Sequence, residues 1–195
     1  MNVAFGMKAH SGWAALVVLG KQNDEFVVVD RRRIELVENE WAKQPYHAAE
    51  GLKSEVARDL VQRGIDAAHK FAVREMRAAL KRETDRKNEV KACAVLVGSP
   101  MPDWSVDEIL AVHFRMHKAE GVLFRDALVH AAKDCKITAV EIPEKELSNH
   151  AERELKTPAG KLASQLSLLG KAAGPPWGKD QKEAALAAMI ALPSR

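Results

Sequence analysis

Apolar positions in this chain begin with a period of two and later shift to a helical period. Val3, Phe5 and Met7 alternate with smaller residues, as in a strand. Lys8-Ala9-His10-Ser11-Gly12 reads as a turn. Trp13–Leu19 follows as a nearly continuous apolar run, which suits a central strand buried on both faces. Gly20–Asp24 is a polar turn. Glu25–Val37 forms a third strand, apolar at both ends with Arg31-Arg32-Arg33 between, a pattern that suits a sheet edge because charges blunt it. Glu38–Leu52 has no period and is expected to be irregular.

From Ser54 the spacing becomes helical. Val56, Leu60, Ile65, Ala68, Ala72, Met76 and Leu80 make one apolar stripe, with Ser54 as the expected N-cap. The helix fades into the charged run Lys81–Glu89. Ala92–Val97 (ACAVLV) has no alternation and predicts a buried, parallel fourth strand, ended by Gly98-Ser99-Pro100. Ser105 with Glu108 three residues on predicts a capping box that opens a helix, and Glu120–Asp134 is strongly helical. Lys136–Ile142 is a fifth strand, and Glu144–Leu155 a polar helix. Thr157-Pro158 opens a further helix with Leu162, Leu166 and Leu169 on its apolar face. After a Gly/Pro-rich loop, Gly170–Gly178, a last helix runs from about Lys179 to Leu192.

Composition narrows the class. With 195 residues, 47% hydrophobic and 29% charged, the chain is expected to be one domain, 1–195, with a full core. The net charge of +3 permits nucleic-acid binding without demanding it. No apolar run is long enough to span a bilayer, and the start of the chain lacks the pattern of a signal peptide, so a cytoplasmic protein without a membrane partner is expected. Cys93 and Cys135 are not in a CxxC pair and read as reduced thiols, brought near one another if their strands are neighbours.

The order β-β-β-α-β-α-β-α, together with the segment GMKAHSGWA at Gly6–Ala14, resembles the ribonuclease-H-like superfamily and its Holliday-junction-resolvase-type members. The resemblance implies an α/β fold with a mixed five-stranded sheet: an antiparallel meander of the first three strands, later strands added in parallel beside the first, and helices on both faces. Another mixed α/β sheet, or an actin-like domain, is the alternative. The resemblance also implies where chemistry would sit. Superfamily nucleases hold two divalent metals on carboxylates at the end of the first strand, at the end of the fourth and at the start of the last helix.

This chain departs from that pattern. The first strand ends in Met7-Lys8-Ala9, with Lys8 placing a positive charge where a metal would sit. The fourth ends in Gly98-Ser99, and Asp103 comes too late, after two prolines. Only Asp180, opening the last helix, meets its position; Glu141 is a further carboxylate in principle. One carboxylate cannot hold two metals, so no metal or other cofactor is expected. The expected role is a non-catalytic binding or scaffolding module for nucleic acid or a protein partner, with a homodimer expected. A divergent nuclease using Mg or Mn, with Asp180 catalytic, is the alternative; a phosphate- or small-anion-binding protein is another.

The remaining polar candidates for nucleic-acid or anion binding are Lys8, His10, Ser11 and Ser99, which the fold would gather at one end of the sheet, and Arg31 and Arg33, which share a strand face. Lys8 and His10 with free turn amides suit an anion. His113 and His117, spaced i, i+4, have the spacing of a metal pair, but no third ligand is evident and they read as ordinary helix residues. Pro45-Tyr46-His47 reads as a segment covering the core. Trp104 and Trp177 lie in Pro-containing loops, placed either to flank one cleft or to pack on the sheet.

Overall fold

A computed structural model describes residues 1–192. Five strands, β1 (Asn2–His10), β2 (Trp13–Gln22), β3 (Glu25–Glu35), β4 (Glu89–Val97) and β5 (Thr138–Pro143), form one sheet in the order β3-β2-β1-β4-β5. β1–β2 and β2–β3 are antiparallel; β1–β4 and β4–β5 are parallel. This is the mixed sheet that the resemblance implies. The first connection is tighter than the sequence suggests. β1 continues through His10, which pairs with Trp13, and the turn is only Ser11-Gly12, with Gly12 at φ +82°. Such a positive φ is the conformation glycine adopts without a Cβ penalty.

The helices are α1 (Pro45–Ala48), α2 (Ser54–Asp85), α3 (Val106–Leu110), α4 (His113–Asp134), α5 (Leu147–Leu155), α6 (Ala159–Ala173) and α7 (Lys179–Ala191). Alternation along the strands splits the core in two. Val3, Phe5 and Met7 of β1 and Leu16 and Val18 of β2 pack with Ala72, Met76 of α2 and Phe124, Leu128 of α4. On the opposite face, Ala4, Val17, Leu19 and Leu96 pack with Leu162 and Leu166 of α6 and Ala184, Ala188 and Met189 of α7.

Several local expectations change. The N-cap of α2 is Lys53, and Ser54 is the first helical residue, with no side-chain cap bond. Residues 38–52 carry a short 3-10 turn at Glu40–Lys43 as well as α1, because Tyr46 and Ala49 bury against Val61 and Ile109. The Ser105/Glu108 capping box is present, but the chain breaks at Ala111-Val112 before α4 begins. A 3-10 turn at Glu144–Glu146 precedes α5, and α6 starts at Ala159 with Pro158 as N-cap. Among the described residues no helix is long and apolar enough to cross a membrane.

α7 sits unusually close to β1. A Cβ on Gly6 would overlap the carbonyl of Ala184 and lie 2.8 Å from the amide nitrogen of Ala188. Glycine on the strand and a run of alanines on the helix let the two backbones meet. That approach delivers the first turn of α7 to the end of β1.

Candidate functional site

Lys8 and His10 project from the α7 side of β1, the side that Ala4 and Gly6 share. Lys8 is buried, and its ammonium meets three carboxylates. Glu144, just after β5, lies 3.2 Å away, and Asp180 on the first turn of α7 lies 3.3 Å away. Glu183, one turn further along α7, makes a close hydrogen-bonded ion pair with the same Nζ. Each carboxylate has a second basic neighbour. Arg125 of α4 donates to Glu144 at 2.9 Å, His10 Nε2 lies 3.1 Å from Asp180, and Lys179 lies 3.7 Å from Glu183.

The protonation states follow from this packing. Burial opposes the charge on Lys8, but hydrogen bonds to Glu183 and Glu144 outweigh it and hold the ammonium above its ordinary range. Burial likewise works against Glu144 as a carboxylate; Lys8 and then Arg125 prevail, and the group stays below its ordinary range. Asp180 also occupies the first turn of a helix, where negative charge is favoured.

Beside this cluster is an open cleft of about 690 Å³, lined in part by Ser99, Arg125, Glu144, Lys179 and Glu183. The sheet end is therefore accessible. The donor set does not fit a pair of divalent ions: the covalently held ammonium takes the point on which the carboxylates converge, and the three formal charges of Lys8, Arg125 and Lys179 balance those of Glu144, Asp180 and Glu183.

Other sequence-derived candidates fall differently. Lys8 lies in a strand, not a turn, and its charge is spent on carboxylates, so the Lys8–Gly12 segment offers an anion no free lysine. His10 stacks on Trp13 with ring centroids 4.3 Å apart, and Arg33 covers the other ring at 4.2 Å while pairing with Glu35. Ser11 is exposed in the two-residue turn, and Ser99 is exposed at the cleft.

Arg31 is not a free phosphate contact. It donates to the carbonyls of Ala173, Gly174, Pro175 and Pro176, which pins the α6–α7 loop to the edge strand. Trp104 packs with Ile109 and Met116, whereas Trp177 packs on Gly170 and donates to the Leu166 carbonyl at 2.9 Å; they do not flank one cleft. Glu141 makes none of the Lys8 contacts; with Asp126 it lines two other clefts, one of which shares Ser99 and Arg125 with the cleft beside Lys8. Cys93 is fully buried, and that burial pushes its thiol up to about 12.

Glu144 and Glu183 escape a reading of sequence positions. Glu183 is 175 residues from Lys8, and nothing but the fold joins them. A signal was available for Glu183: it sits one helical turn after Asp180, on the same face.

No protein-family model and no curated protein matches this chain. Solved structures do. The structure of Thermus thermophilus RuvC superposes with a TM-score of 0.52 at 13% identity, covering 96% of this chain and 92% of that one. The structure of T. thermophilus RuvC in complex with a Holliday junction substrate gives 0.51 at 11% identity, covering 97% and 92%. At such identities the likeness concerns the backbone alone, and what it establishes, over nearly the whole chain, is a RuvC-like, ribonuclease-H-like fold.

Proposed function

We propose that this protein is a nucleic-acid-binding module of ribonuclease-H-like fold that engages its ligand without cleaving it. The observation that carries this reading is the Lys8 ammonium held among Glu144, Asp180 and Glu183. Metal-dependent phosphodiester cleavage needs divalent ions on hard oxygen ligands to activate water and stabilise the leaving oxygen. A lysine in their place supplies charge but no open coordination position. The adjoining cleft, with exposed Lys145 at its wall, and the mildly basic net charge support binding to a phosphate backbone. T. thermophilus RuvC, which has this fold, is described in complex with a Holliday junction.

A second reading has one observation in its favour. Three carboxylates converge on one point at the sheet end, so displacing Lys8 would leave a set of hard oxygen donors. That arrangement would make a divergent nuclease using Mg or Mn.

Labelled single-stranded, duplex and four-way-junction DNA, run on gels with and without manganese over a salt series, separates the two. The expected result is a shift that weakens steeply with salt, and no cleavage. Manganese-dependent cleavage that Asp180→Asn abolishes would overturn the non-catalytic reading. Neither a shift nor cleavage on any substrate would overturn both. Lys8→Met adds an independent check. It leaves three carboxylates without their common cation, costing about 1–3 kcal/mol, less than a fully buried pair because the acids are partly exposed. Magnesium, which takes oxygen ligands, is expected to raise the melting temperature of Lys8→Met and leave the unsubstituted protein unchanged.

A further inference from the structure

On the opposite layer of the molecule, α1 and the start of α4 bring three histidines together. His113 and His117 lie one turn apart on α4, and their Nε2 atoms are 3.1 Å from each other. The third ring is His47, from α1. One nitrogen from each of the three rings lies within 4.8 Å of the other two. His47 is the partner that the i, i+4 pair lacks in the sequence.

His47 is also oriented by a carboxylate. Its Nδ1 donates to Glu120 Oε2 at 2.7 Å, since a carboxylate only accepts. Glu120 is buried, and it further accepts the His47 amide at 3.1 Å and the Gln44 side chain at 3.4 Å. With the proton on Nδ1, the neutral ring leaves a bare lone pair on Nε2. That Nε2 is buried and has no hydrogen-bond partner among the described residues. A carboxylate behind a histidine, fixing its tautomer and aiming its other nitrogen, is the arrangement that supports metal-bound imidazoles.

We infer that His47, His113 and His117 form a zinc site with Glu120 as its positioning residue. Tetrahedral zinc with Zn–N bonds of 2.0–2.1 Å sets neighbouring nitrogens about 3.3 Å apart. The His113–His117 pair already has nearly that separation, and rotation of these exposed side chains closes the rest. An all-imidazole donor set selects zinc and its transition-metal neighbours over magnesium or calcium, which take oxygen ligands. Three protein ligands leave a fourth position for water, and the exposure of His113 and His117 keeps it open to solvent. The ion would tie the α1 segment to α4.

The test uses the full chain with no affinity tag. Cobalt(II) is titrated as the spectroscopic probe, followed by displacement with zinc, in excess magnesium. One equivalent of cobalt with visible ligand-field bands, lost on adding one equivalent of zinc, is the expected result. His117→Ala, on an exposed side chain, is expected to abolish the bands with the circular-dichroism spectrum unchanged. Glu120→Gln is expected to weaken binding about 10–100-fold while the stoichiometry stays at one. Asp180→Asn is expected to bind cobalt like the unsubstituted chain, which separates this site from the carboxylate cluster. No saturable binding, or bands that persist in His117→Ala or vanish in Asp180→Asn, would overturn the assignment.

Discussion

Gly6 shows how much of the site rests on a single hydrogen atom. Its missing Cβ lets the Ala184 carbonyl and Ala188 amide approach β1, and that approach fixes where Asp180 and Glu183 emerge. Gly6→Ala inserts a methyl group against main-chain atoms that cannot rotate away. It is expected to cost about 3 kcal/mol, seen as a lower midpoint in urea unfolding. A neutral outcome would mean that α7 slides on the sheet without penalty. The sequence carries the glycine and the alanine run openly, but their juxtaposition depends on register, which it does not display. The same holds for the histidines: the His113/His117 spacing is visible, whereas His47 meets Glu120 across 73 residues.

At the scale of elements, strands and long helices were legible because their apolar periods are strong. Short pieces were not. α1 and the 3-10 turns are four residues or fewer, too short for a period; tertiary contacts bury Ala42 of the first turn and Tyr46 of α1, and Leu147 just after the second turn. Arg31 is the clearest case of one residue type with two readings. In sequence it belongs to a basic run on an edge strand; in the fold its guanidinium closes four backbone carbonyls of the α6–α7 loop. Arg31→Ala is expected to cost about 1.5–3 kcal/mol, because hydrogen bonds to a charged group are lost and carbonyls are left to find water. Limited proteolysis should then cut between Ala173 and Gly178 at protease concentrations that spare the unsubstituted chain. Arg31→Lys cannot reproduce the fork and is expected to restore only part of the protection.

Across the whole molecule, the paired charges set a pH window. Glu144 titrates below its ordinary value of 4.5 in the folded chain, so its contribution is complete above that value and is lost as pH falls through the lower, folded one. Lys8 is the mirror case: its contribution is complete below 10.5 and is lost as pH rises through the higher, folded value. Asp126 opposes Glu144. Burial, then the charge of Glu141, holds it above 3.8, which costs stability at neutral pH and is relieved in acid. Two further groups narrow the window: His69 is held below 6.5, first by burial, and burial pushes Cys93 from 9.0 up to about 12. Chemical denaturation across pH is therefore expected to show its maximum between about 6.5 and 9.0, with a sharper fall on the alkaline side, where Cys93 acts before Lys8. Lys8→Met removes the lysine's share of that alkaline fall, and a curve unchanged by the substitution would remove Lys8 as its source.

The cation at the end of β1 is tethered by covalent bonds. A bound ion has a dissociation constant, and its occupancy follows the supply in the surroundings. The Lys8 ammonium has neither: it is present at unit occupancy whatever the concentration of magnesium or manganese. The first turn of α7 thus keeps its position through swings in divalent-ion supply that would empty a metal site of the same shape.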